Sequence, residues 1–98
     1  MFVGTLELDV LLGDIHSLKE KRGVVRPVIA ELRRRHDVAV AEVDLQDLHR
    51  RAILGVATVS ADATRCTEVL DSCERLVAAR PELDLLSARR TLRDTDDD

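Results

Sequence analysis

From Ile53 to Val59 the chain reads Ile-Leu-Gly-Val-Ala-Thr-Val, apolar on both alternating faces, between Arg51 and Ser60. Such a run is a β-strand, and a strand apolar on both sides belongs in the middle of a sheet with both faces covered. It therefore demands a strand on each edge and a layer above and below. The rest of the chain has to supply them.

Upstream, Leu6, Leu8 and Val10 alternate with Thr5, Glu7 and Asp9, which makes Phe2 to Leu12 a strand with one buried face. Gly13-Asp14 breaks it. Ser17 followed by Glu20 forms a capping box. The helix it opens runs to about Arg35, with Leu18, Val25, Val28, Ile29 and Leu32 on one stripe. Pro27 removes a backbone donor and crowds the carbonyl of Gly23, so a kink is expected near Gly23. After His36-Asp37, Val38 to Leu45 reads as a second strand with Glu42 and Asp44 on one face, and Gln46 to Arg50 is a polar connection. Ser60 or Asp62 caps a second helix that reaches Arg80 before Pro81. Its stripe is Ala63, Cys66, Val69, Leu70, Cys73, Leu76 and Val77. Leu83 to Leu92 is a fourth strand, whose facing the pattern leaves open.

The order β-α-β-β-α-β predicts an α+β fold of the ferredoxin-like kind, a four-stranded antiparallel sheet with two helices on one face. Right-handed crossovers make strands 1 and 3 central and leave the second sheet face open. Because strand 3 is apolar on that face too, a second copy of the chain is expected to cover it, giving a homodimer.

Length allows one domain, placed at 1–93, with 94–98 as an acidic disordered tail built on Asp94, Asp96, Asp97 and Asp98. Those four account for the net charge of −4, so the remaining acids match the 15 Lys and Arg in number. One Phe and no Tyr or Trp leave a core of Leu, Val, Ile and Ala and a surface that cannot stack bases. Cys66 and Cys73 lie seven residues apart on the second helix, about 10 Å along its axis, too far for a disulfide. They read as reduced core thiols, and neither a CxxC nor a histidine pair suggests zinc. No apolar run is long enough for a membrane, and a strand starting at Phe2 leaves no room for a signal peptide. A cytoplasmic protein is expected.

Between Lys19 and Arg35 stand seven bases and two acids. At about 100° per residue, Lys19, Arg22, Arg26 and Arg33 share an arc of about 60° that holds no acid. A basic stripe beside a buried stripe suits a phosphate backbone, although a merely solvated face looks the same. Lys21 falls on the buried stripe, where it either snorkels past the sheet edge or pairs with a carboxylate. Glu7, Asp9, Glu42 and Asp44 are expected together on the open face. Strands 1 and 2 stand about 9.5 Å apart, so no single ion joins them, and Arg51 or Arg89/Arg90 are their expected partners. His16, His36 and His49 are scattered, no nucleophile accompanies them, and no glycine-rich phosphate loop is present.

Three segments together resemble the YlxP-like family of small bacterial domains of unknown function: Ser17-Leu-Lys-Glu-Lys-Arg22, Val40-Ala-Glu-Val-Asp-Leu-Gln-Asp-Leu48 and Leu54-Gly-Val-Ala-Thr-Val-Ser60. The likeness extends to about Val77 and departs at Gly23 and Pro27, where the family helix is uninterrupted, and at His49, where an aromatic residue is common. It implies a ferredoxin-like fold. The family's genes often neighbour those for transcription termination, translation initiation and ribosome maturation, which implies a cytoplasmic, RNA-associated role. The expected protein is thus a non-catalytic module without cofactor or metal that contacts RNA or a ribonucleoprotein. Lys19, Lys21, Arg22, Arg26 and Arg33 are the candidate contacts, with Arg50 and Arg51 as additions. The alternative is a protein-binding or small-ligand regulatory domain acting through the open sheet face.

Overall fold

A computed structural model describes residues 1–96. Its elements are β1 (Phe2–Leu12), α1 (Leu18–Arg35), β2 (Ala39–Asp44), β3 (Arg51–Ser60), α2 (Ala63–Ala78) and β4 (Leu83–Asp94). The strands form one antiparallel sheet in the order β2-β3-β1-β4, with the two strands expected at the centre in that place.

Register follows from the apolar alternation. Leu6, Leu8, Val10 and Leu12 pair across β1 and its neighbours with Val56, Leu54, Ala52 and Leu83, and all of them are buried. They form one core with Val25, Val28 and Leu32 of α1 and Leu70, Cys73 and Val77 of α2. Each fully buried aliphatic side chain contributes about 1.5–3 kcal/mol. The other sheet face carries no helix, so β3 turns Ile53, Gly55, Ala57 and Val59 to it, and Val59 stays 61% exposed.

Both helices start as their sequences direct. Ser17 Oγ accepts from the Glu20 N–H at 3.1 Å, and the Glu20 carboxylate accepts at 3.5 Å from the His16 N–H, one residue before the cap, rather than from the Ser17 N–H of a standard capping box. At α2 the cap is Asp62, whose carboxylate accepts from the Thr64 N–H at 2.9 Å. α1 continues through Gly23 and Pro27 as one helix rather than ending at either.

Two expectations are corrected and one open point is settled. Glu42 follows the buried Val40 by two residues and stands opposite Leu54, so it lies on the helix-covered face, away from Glu7 and Asp9, and a bulge after it sets Asp44 opposite Ile53 on the other face. A second bulge opposite Asp9/Val10 in the β1–β4 ladder makes Leu86 the extra residue and settles the facing of β4. Finally, Asp94 is the last residue of β4 rather than the first of a tail. The Thr95 N–H donates to the Met1 carbonyl at 2.9 Å, because β1 extends far enough to pair with it. Asp97 and Asp98 lie outside the described residues.

Cys66 and Cys73 are free and completely buried. Burial pushes the Cys73 thiol from 9.0 up to about 11, since a thiolate there would be desolvated. Two outcomes are expected. Iodoacetamide at pH 8 leaves Cys73 unlabelled until denaturant is added, as read by mass spectrometry. Stability falls as pH rises from 9 toward 11, because there the unfolded chain releases a proton that the folded one retains.

Candidate nucleic-acid interface

The seven basic candidates separate according to what their side chains already hold. Lys21 is 2% exposed, and it is removed from the candidate contacts. Its ammonium donates to the Leu45 carbonyl at 2.9 Å and to the Gln46 carbonyl at 3.5 Å, and lies 2.7 Å from Glu42 Oε2. That last contact falls outside hydrogen-bonding angles, so it is an ion pair in which Glu42 Oε2 lacks a directed donor. Helix position 21 faces the sheet, and Glu42, on the same face of β2 as the buried Val40, points toward it. The carboxylate pairing considered for Lys21 is what the structure contains. Leu45 sits at φ 59°, a left-handed conformation that costs a non-glycine residue about 1–2 kcal/mol. Lys21 and the Asp44 carboxylate, which accepts from the Leu45 N–H at 2.8 Å, together hold that turn.

Three arginines are likewise engaged. Arg33 donates to the Val40 carbonyl on the β2 edge. Arg50 Nε donates to the Gly13 carbonyl at 2.8 Å and the Leu12 carbonyl at 3.3 Å. Arg51 binds Asp9 in a fork, with Nη2 2.6 Å from Oδ2 and Nε 3.1 Å from Oδ1. Of the expected open-face pairs, Arg51–Asp9 and Arg89–Glu7 form, whereas Arg90 turns to the helix side and binds Asp71 and Glu74 of α2. Those carboxylates raise the Arg90 pKa further, with the Asp71 hydrogen bond the main cause.

Lys19, Arg22 and Arg26 remain. All three are exposed, and among the described residues none has a salt-bridge or side-chain hydrogen-bond partner. Together with Gly23 and Pro27 they line a shallow hollow of about 370 Å³ on the solvent side of α1. The hollow exists because Gly23 has no side chain, and nothing lies within 4 Å of where its Cβ would be. Pro27 has no N–H to give the Gly23 carbonyl, so a helix hydrogen bond is missing at the floor. Sequence reasoning treated these two residues only as helix irregularities. The signal was their i, i+4 spacing beside three cations.

A second hollow, of about 490 Å³, lies on the open sheet face. It is floored by Ala39, Ala41, Gly55 and Ala57 and flanked by Val43, whose Cγ1 stands where a Gly55 Cβ would be, 2.7 Å away. No group of three or more metal-ligating side chains occurs among the described residues. No helix among them is long and apolar enough to cross a membrane.

Sheet order, helix placement and the antiparallel register define an α+β domain of the ferredoxin-like class. Residues 3–90 match the family described as "Protein of unknown function (DUF503)", and the chain belongs to that family. It is also 27% identical over 82 residues to the uncharacterized protein YlxP of Bacillus subtilis (strain 168), a match covering 84% of this chain and 89% of that protein. The YlxP-like resemblance is therefore established. The Lys21–Glu42 pair gives two of its signature segments a shared structural task.

Proposed function

We propose that the chain is a non-catalytic cytoplasmic module that contacts the phosphate backbone of RNA, alone or within a ribonucleoprotein, through Lys19, Arg22 and Arg26. One observation carries this reading: three adjacent exposed cations stand free around a hollow, while Lys21, Arg33, Arg50 and Arg51 are each held by the fold. Charges left free of internal pairs are the ones a phosphate can use without breaking anything. With no aromatic platform, the contact reads charge and shape rather than base identity.

Fluorescence polarisation with a labelled single-stranded RNA tests it. Three phosphate contacts give a log-log salt slope of about −2, or about 20-fold weaker binding between 50 and 200 mM salt. Lys19→Ala/Arg22→Ala/Arg26→Ala abolishes binding, whereas Arg51→Ala leaves the slope unchanged. Absence of binding at low salt, or an unaltered slope in the triple variant, overturns the proposal.

The apolar hollow on the open face favours one second reading, a protein or small-ligand regulatory domain. A Gly55→Ala variant discriminates between the two. It crowds Val43 and disturbs that face, while RNA binding through α1 stays as it was.

A further inference from the structure

The two edges of the sheet are treated differently. β2 is six residues long, is bulged between Glu42 and Asp44, and has its Val40 carbonyl occupied by Arg33. Those are the devices that protect an edge from pairing. β4 is 12 residues long, and nothing among the described residues lies along its outer side.

Which backbone groups it presents follows from one bond. The Thr95 N–H bonds to the Met1 carbonyl, and the register continues as Arg93 opposite Val3, Thr91 opposite Thr5 and Arg89 opposite Glu7. Hydrogen-bonded pairs alternate along an antiparallel ladder, so these odd-numbered residues bond inward. Arg90, Leu92 and Asp94 turn their N–H and C=O groups outward. Their side chains lie on the helix-covered face, where Leu92 is 46% exposed.

We propose that this chain forms a homodimer by pairing β4 with β4 of a second copy, antiparallel about a two-fold axis at Leu92. This replaces the open face with the β4 edge as the dimer contact. Charge complementarity selects the register. Centred on Leu92, the edge sets Leu92 against its own copy and Arg90 against Asp94 of the second chain, twice. On the other face it sets Thr91 against Arg93. Centred one residue earlier, at Thr91, it would oppose Arg89 to Arg93 twice. Centred on Arg90, it would oppose that arginine to itself. Like charges directly opposite destabilise a ladder and unlike ones support it. Arg90 is already held in place by Asp71 at 2.6 Å and Glu74 at 3.1 Å, so little is lost in ordering it. The ladder from residue 90 to 94 makes about six backbone hydrogen bonds and produces an eight-stranded sheet with all four helices on one face.

The test uses the full chain. Light scattering over a concentration series gives a dimer. Leu92→Pro deletes an outward N–H that β1 does not use, and two such losses weaken the dimer about 30-fold. Leu92→Lys, at an exposed position, brings like charges together and gives a folded monomer by circular dichroism. Opposed residues in a bonded pair have Cα atoms about 5.5 Å apart, so Leu92→Cys cross-links the dimer on oxidation while Val59→Cys does not. A monomer at every concentration overturns the proposal. So does a dimer that Leu92→Pro and Leu92→Lys leave intact, or one cross-linked by Val59→Cys.

Discussion

Replacing Lys21 by methionine is expected to cost about 3 kcal/mol of stability and to lower the melting temperature by roughly 12–24 °C. The volume is kept, so packing is not the cause. What is lost is the ammonium that faces Glu42, and a carboxylate deprived of its partner at a mostly buried site is costly. The Leu45 and Gln46 carbonyls lose a donor in the same step, and the left-handed turn at Leu45 loses half of its support. Urea denaturation of the single and double variants separates these contributions. Lys21→Met with Glu42→Leu should be milder than Lys21→Met alone, because no unpaired charge remains inside. Equal losses would mean that the carbonyl contacts, not the ion pair, dominate. With total stability of about 5–15 kcal/mol for a domain, the single change removes a large share of it.

The opposite sign is expected at the hollow. Gly23→Ala with Pro27→Ala should stabilise the domain by about 2–4 kcal/mol, since glycine costs about 1 and proline about 3 kcal/mol against alanine inside a helix. Both positions are exposed, and the added methyl at 23 meets nothing within 4 Å. Alanine at 27 also restores the missing bond to the Gly23 carbonyl. Thermal melts read the gain, and a melting temperature at or below that of the parent would show that α1 does not store this cost. Measuring RNA affinity of the same variant shows whether the concavity or only the three charges matter.

The fold was legible because its signals are redundant. The capping box at Ser17 and Glu20, the two helical stripes and the doubly apolar β3 each point to one topology. What escaped was register. Glu42 and Asp44 look equivalent in an alternating pattern, and nothing local marks the extra residue that turns Asp44 away from the face of Glu42. The same holds at Leu86, where a bulge hides within the run Asp84-Leu-Leu-Ser87. Bulges arise from pairing with a strand far away in the chain, so the segment itself does not announce them. The candidate site was half legible. Lys19, Arg22 and Arg26 were visible as an acid-free arc, but partners that come from other elements were not. Val40 claims Arg33, Gly13 claims Arg50, and Glu42 claims Lys21. The fork between Arg51 and Asp9 was expected in kind, since both lie on the open face.

The sheet order also sets a timetable. β1 is made first yet sits between β3 and β4, whose residues pair with it across most of the chain's length. Contacts that close such long loops form slowly. β2 and β3 are joined by a short connection and can meet early, with α1 pinned to their turn by Lys21. In kinetic terms a local β-hairpin and helix are expected to form before the central strand joins them, an order that folding and unfolding rates of variants would read. Damage to the Lys21 clamp is then expected to slow folding, and damage along β4 to speed unfolding.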